Sequence, residues 1–159
     1  MNLLNTVPTW LAALLSILLV GAAVQDIRVR KISNLLVLAV LILGIVAMVV
    51  VGPRVQLWQN FLVFAVLLGL GLVAYTKRVL GAGDVKLFAA TALWVDLAGA
   101  PRLIAAVLIG GGLVALLMLG RVVVGQKQVT EGMRKRRSVP YGVAIAAGAL
   151  LILWYGRVG

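Results

Sequence analysis

Long apolar runs alternate with short stretches that carry nearly all the charge. Pro8 to Val24, Leu35 to Val51 and Leu57 to Tyr75 contain no charged side chain, and Leu103 to Val124 contains only Arg121. Runs of this length are close to the roughly 20 residues a helix needs to cross a bilayer. They are apolar on every side, as expected of helices surrounded by lipid or by one another. Two further segments fit the series less well. Val85 to about Ala100 is short and interrupted by Asp96, and Pro140 to about Trp154 follows a strongly polar loop. Together they predict an all-α membrane protein, a bundle of six transmembrane helices forming one polytopic domain over residues 1–159.

Local signals place the ends of these helices. Ser33 or Asn34 serves as an N-cap for the second span, and Gly52-Pro53 stops it. Pro101 ends the fourth span, and Pro140 suits the first turn of the sixth. Trp58 and Tyr75 suit the two membrane interfaces. Gly110-Gly111-Gly112 inside the fifth predicts close helix packing. Met1 to Thr9 carries no Lys or Arg, unlike the charged start of a secretory signal. The first span is therefore expected to remain uncleaved.

Composition supports the class and removes several chemistries. The chain is 64% hydrophobic and 12% charged, with no Cys and no His. Disulfides, thiolate metal sites and His-dependent nucleophilic catalysis are thereby excluded. The four acidic residues, Asp26, Asp84, Asp96 and Glu131, are too dispersed to form a metal cage; no metal and no cofactor is expected. The net charge of +11 reads as membrane topology, with lipid as the partner. The basic run Arg134–Arg137 lacks the interleaved aromatics of a nucleic-acid stacking surface, so no nucleic acid is expected.

Twelve of the fifteen basic residues fall in the loops after spans one, three and five; only Arg54, Arg102 and Arg157 lie opposite. Because basic loops stay in the cytoplasm, both termini are expected outside it. Asp26 and Asp84 then face the cytoplasm together, and Asp96 faces away. An ionised carboxylate at a membrane border is costly and calls for a function. Gly81 and Gly83 strip side-chain bulk from the approach to Asp84, so that another backbone can come close. Two carboxylates that meet can hydrolyse a peptide, sharing one proton and holding a water between them. The helix dipole disfavours an anion at Asp26, near the end of the first span, and favours one at Asp84, near the start of the fourth. The shared proton is then expected to rest more on Asp26. Lys86 either supports Asp84 or reaches lipid phosphate. Pro140 and Tyr141 are a helix start and an interface anchor, with the Tyr141 hydroxyl a further candidate near the pair.

Gly81-Ala82-Gly83-Asp84 followed by Val85-Lys86 resembles the GxGD motif of the bacterial type IV prepilin peptidases. Asp26-Ile27-Arg28-Val29-Arg30-Lys31-Ile32-Ser33-Asn34 resembles that family's first aspartate box, with Ser33 where the box usually has Pro. Pro140-Tyr141-Gly142 with Ala144-Ile145-Ala146 resembles a third block. The three stand in the family's order across roughly residues 10–155. The resemblance implies a membrane aspartic endopeptidase of the bacterial inner membrane. Its catalytic residues would be Asp26 and Asp84, with Gly81, Gly83, Lys86, Pro140 and Tyr141 shaping the site. It implies a prepilin or pseudopilin substrate, cut between a basic leader and an apolar helix. With no added cytoplasmic region, the chain is similar to the short, peptidase-only type of Flp/Tad pili. The alternatives are a small ion-coupled transporter subunit, whose acids would lie at mid-membrane, and a non-enzymatic pilus or secretion assembly factor, which would tolerate loss of both carboxylates.

Overall fold

A computed structural model describes residues 2–52, 55–124 and 141–158. The described residues form seven helices and no strand: α1 Leu3–Thr6, α2 Thr9–Val29, α3 Asn34–Val51, α4 Leu57–Thr76, α5 Ala82–Ala92, α6 Ala100–Val124 and α7 Tyr141–Val158. Expectations for Pro53, Arg54, Glu131, Pro140 and the basic run Arg134–Arg137 lie outside the described residues.

Helices α2, α3 and α4 are long and apolar enough to cross a membrane, and α6 and α7 are apolar over Ala100–Val114 and Tyr141–Arg157. Large side chains such as Ile17, Val49 and Leu70 are exposed along the first three. So continuous an apolar exterior marks a surface covered by something other than water, and with helices of this length lipid is that cover. The chain is a membrane protein.

The helix limits follow the sequence signals at several points. Ser33 caps α3, its Oγ accepting the Leu36 N–H at 3.2 Å. The same helix ends before Gly52, which sits at φ 90°, a backbone setting open to glycine. Helix α4 runs one residue beyond the expected Tyr75. Helix α2 differs more. It continues past Val24 to Val29 and ends with Arg30 in the left-handed region. Asp26 is therefore held within a helical turn and not in the loop after it.

The fourth segment also departs from expectation. It was read as a single run from Val85 to about Ala100 ending at Pro101. Helix α5 instead starts at Ala82 and stops at Ala92, and turns carry the chain to α6. Pro101 lies in the first turn of α6, where its missing N–H leaves no hydrogen bond unmade. Leu93, Trp94 and Val95 owe their apolarity to burial inside the bundle. The Asn60 amide donates to the Leu93 carbonyl at 3.0 Å, and Asp96 Oδ1 accepts the Gly99 N–H at 2.8 Å. This turn has polar partners within the protein, as irregular backbone at membrane depth requires.

Helix α5 packs against α4, α3 and α7, while α7 packs against α6 and α2. Small residues let these backbones come together. A Cβ built on Gly148 would lie 2.9 Å from the Val107 nitrogen on α6. One on Gly71 would lie 2.6 Å from Val85 Cγ1. A Cβ on Gly110 would lie 3.4 Å from the Ala144 carbonyl oxygen, whereas one on Gly112 would meet nothing within 4 Å. The glycine run thus packs through part of its length only.

Candidate active site

Five chain segments converge at one end of the bundle: the last turn of α2, the turn into α3, the Gly81 approach to α5, the first turn of α5 and the first turn of α7. Asp26 comes from the α2 turn and is 5% exposed. Its Oδ2 accepts the Gly142 N–H of α7 at 2.8 Å, and the Val143 N–H also faces it. The first N–H groups of a helix have no partner within the helix and favour an anion. The Asp26 carboxylate thus sits at the N-terminus of α7, with Arg30 one turn further along α2 adding positive charge.

Asp84 lies in the first turn of α5, where its Oδ2 accepts the Gly81 N–H at 3.2 Å. A carboxylate at the third helical position reaching back to the N-cap amide is the acidic half of a capping box. Gly81 has no side chain to return the bond, and a Cβ there would meet Asp84 Oδ2 at 2.8 Å. Asp26 and Asp84 lie close enough to interact electrostatically, and the Gly142 amide interacts with both. The dipole asymmetry expected from α2 and α5 alone is thus offset by α7, a third helix whose N-terminus is aimed at Asp26.

Ile32 is the pivot that fixes the two carboxylates. A Cβ on Gly83 would come within 3.1 Å of Ile32 Cβ and 3.3 Å of its backbone nitrogen. A Cβ on Gly142 would meet Ile32 Cδ1 at 2.8 Å and Asp26 Oδ2 at the same distance. Absent side chains at 83 and 142 therefore allow α5 and α7 to close on the α2–α3 turn. That turn is held in place by Gln25, whose Oε1 accepts the Ser33 N–H at 3.0 Å. Lys86 Nζ donates to Asn34 Oδ1 at 2.9 Å, joining α5 to the start of α3 across an exposed surface.

The expected residues divide accordingly. Asp26, Asp84, Gly81 and Gly83 come together. Lys86 binds Asn34 near them, and Tyr141 stands beside Gly142. Asp96 is at the opposite end of α5, near Gly99 and Asn2. Among the described residues no group of three or more acidic side chains gathers as a metal site would require. Gly142, Ile32, Gln25 and Asn34 were not singled out from the sequence as site residues. Ile32, Asn34 and Gly142 did lie inside the motif blocks, and membership of those blocks was the available signal; Gln25 lies one residue before the first of them.

No curated protein and no solved structure matches the chain. A family model, described as the type IV leader peptidase family, matches residues 13–125. The match takes in both aspartates, the α2–α3 turn and the glycines ahead of Asp84, and covers well over half of the sequence. With the carboxylates of its two aspartate motifs brought to one end of the helical bundle, the chain belongs to the type IV leader peptidase family.

Proposed function

We propose that this protein is a membrane-embedded aspartic endopeptidase that removes the basic leader of a prepilin-like substrate at the cytoplasmic face. The observation that carries this reading is the approach of Asp26 and Asp84 around the Gly142 amide. In sequence, the described basic residues that flank the two aspartates are Arg28, Arg30 and Lys31 after Asp26, Lys77 and Arg78 before Asp84, and Lys86 after it. By the positive-inside rule this end is cytoplasmic. Six crossings, with α5 and the buried turn after it as the fourth, place both termini on the other side. In a bacterium the membrane is the inner one, and the short, peptidase-only form of Flp/Tad pili is the nearest fit.

Asp26 and Asp84 share one proton and hold a water between them. The ionised carboxylate takes a proton from the water as its oxygen attacks the scissile carbonyl carbon. The protonated carboxyl donates to the carbonyl oxygen, giving a neutral tetrahedral gem-diol. When the C–N bond breaks, the leaving nitrogen takes a proton from the carboxyl that received it from water. One gem-diol hydroxyl returns its proton to the other carboxylate. The products are a leader with a new carboxyl end and a helix with a new amine, and the pair again holds one proton. Such a pair titrates jointly, so a bell-shaped rate profile belongs to both residues. Gly81 and Gly83 leave room for the substrate backbone beside Asp84.

Two experiments test this reading. Purified protein in detergent is incubated with a substrate made of a basic leader, a glycine and an apolar helix. A single cut at the leader–helix junction, mapped by mass spectrometry, is expected; an uncut substrate rejects the peptidase reading. The topology is tested by single-cysteine labelling in a chain that has no cysteine of its own. Cysteines at 31 and 78 should react from the cytoplasmic side only, and labelling from the opposite side would reverse the orientation.

A further inference from the structure

A groove of about 710 Å³ runs between α6 and α7 at the end of the bundle remote from the carboxylates. Its lining is sorted along its length. Asn2, Asn5, Arg102 and Tyr155 line the end where α6 begins and α7 finishes. Further along, the lining is apolar and includes Ile109, Leu113, Ala147 and Leu151. Gly110 and Gly148 let the two helices touch beneath it: a Cβ on Gly148 would lie 2.9 Å from the Val107 nitrogen, and one on Gly110 3.4 Å from the Ala144 carbonyl oxygen. Ile109, Leu113 and Leu151 are exposed, so the groove is open on the side that faces lipid.

The polar end is built to receive an anion. None of the described lining residues is acidic. Asp96, the described acid at this end, has its Oδ1 on the Gly99 N–H at 2.8 Å. Arg157, the other described cation here, donates to the Leu4 and Val7 carbonyls. Arg102 is exposed in the groove, with a planar guanidinium suited to gripping a phosphate through two parallel bonds. Asn2 accepts the Leu4 N–H through Oδ1, so its amide nitrogen is the end with donors to offer. Tyr155 is of the type that settles at the membrane interface.

Length matches charge. Arg102 to Leu113 covers eleven residues of α6, a rise of about 16 Å. The hydrocarbon core of a bilayer is about 30 Å thick, so the groove is as deep as one leaflet. We propose that it binds one anionic phospholipid from the leaflet remote from the carboxylates. The phosphodiester lies at Arg102, Asn2 and Asn5, and one acyl chain runs along Ile109, Leu113 and Leu151. The inference rests on α6 and α7 lying in the bilayer and not on the peptidase reading. A second copy of the chain is a poorer occupant, because the described acid it could bring to Arg102 from this end is Asp96, which already holds Gly99.

The test is native mass spectrometry of the full chain in mild detergent, titrated with phosphatidylglycerol or with phosphatidylcholine of identical chains. Wild type should retain one phosphatidylglycerol and prefer it severalfold over phosphatidylcholine. Arg102→Gln should weaken phosphatidylglycerol about tenfold, the value of one charge-assisted contact, and erase the preference. Ala147→Phe and Ala105→Phe, at exposed lining positions, should fill the groove and abolish the single adduct. Lys77→Gln, an exposed cation elsewhere, should bind like wild type. Melting temperature identifies a variant that has lost its fold. Equal retention of the two lipids by wild type, or an unchanged preference in folded Arg102→Gln, overturns the site. So does displacement of the lipid by inorganic phosphate, which would leave the acyl chain without a role, or a lipid-free dimer that the filled variants disrupt. If neither filled variant folds, phosphatidylglycerol with a mid-chain diazirine decides on wild type. Label concentrated in residues 105–113 and 147–152 supports the site, and label spread over or confined to the other helices overturns it. Cleavage is not a readout, so the outcome stands whether or not the peptidase reading does.

Discussion

Replacing Gly142 by Ala is a test of how the carboxylates are held. The added Cβ would stand 2.8 Å from Asp26 Oδ2, 3.0 Å from Asp26 Cγ and 2.8 Å from Ile32 Cδ1. Ordinary carbon contacts begin near 3.4 Å, so the methyl group overlaps three atoms by roughly half an ångström. Neither neighbour can yield easily. The Asp26 carboxylate is held by the Gly142 N–H at 2.8 Å, and Ile32 is braced against Gly83. Helix α7 must therefore retreat or the carboxylate must turn, and both lengthen that hydrogen bond. Overpacking of this kind costs about 1–3 kcal/mol, a loss most membrane bundles survive. Catalysis is more sensitive, since displacement of a reacting group by about 1 Å costs on the order of 100-fold. Gly142→Ala should lower kcat roughly 100-fold with a modest drop in melting temperature, measured on the purified protein with a leader-bearing substrate. Gly69→Ala is the control: a Cβ there meets nothing within 4 Å, and it should cut at the wild-type rate. A folded Gly142→Ala protein that cuts at the wild-type rate would refute the idea that the first turn of α7 positions Asp26.

Other consequences follow from packing and hydrogen bonding. Gly71→Ala places a methyl 2.6 Å from Val85 Cγ1 and should destabilise the α4–α5 contact by about 1–3 kcal/mol; adding Val85→Ala should restore part of it, read by denaturation in detergent. Arg157 donates through Nε to the Leu4 carbonyl at 3.2 Å and through Nη2 to the Val7 carbonyl at 2.6 Å. Arg157→Met should speed amide exchange in residues 3–7 while leaving cleavage unchanged, because this end is remote from the carboxylates. Lys86→Met removes an exposed bond to Asn34 and should cost less than about 1 kcal/mol, so a large loss of stability would mean that Lys86 holds more than Asn34.

Helix type and the limits of α3 and α4 were legible because they depend on local signals: an apolar run, a serine cap, a glycine stop. The true end of α2 was not, because Gln25 to Val29 is polar enough to read as loop while continuing the helix. The brevity of α5 was hidden for a different reason. Trp94 and Val95 are as apolar as a membrane span, and only the assembled bundle shows that they are buried turns. Helix α1 was missed because four residues are too few to show a period. In the site, the aspartates and the glycines ahead of Asp84 stood out by their chemistry. Gly142 stands 116 residues from Asp26, and nothing local to either shows that they touch. The same distance hid the N-terminus of α7 from the dipole reasoning about which carboxylate holds the proton.

The central claim is that Asp26 and Asp84 act as one catalytic pair, and conservative removal of each carboxylate tests it most directly. Wild type, Asp26→Asn, Asp84→Asn and Asp96→Asn would be purified, checked for fold, and assayed on one leader-bearing substrate. Cleavage should fall by at least three orders of magnitude or so in the first two variants, because the remaining carboxylate has no partner to complete the proton transfers. Asp96→Asn, altered at the far end of α5, should cut like wild type. If wild type cuts and a folded Asp26→Asn or Asp84→Asn protein cuts equally well, the paired-carboxylate mechanism is wrong.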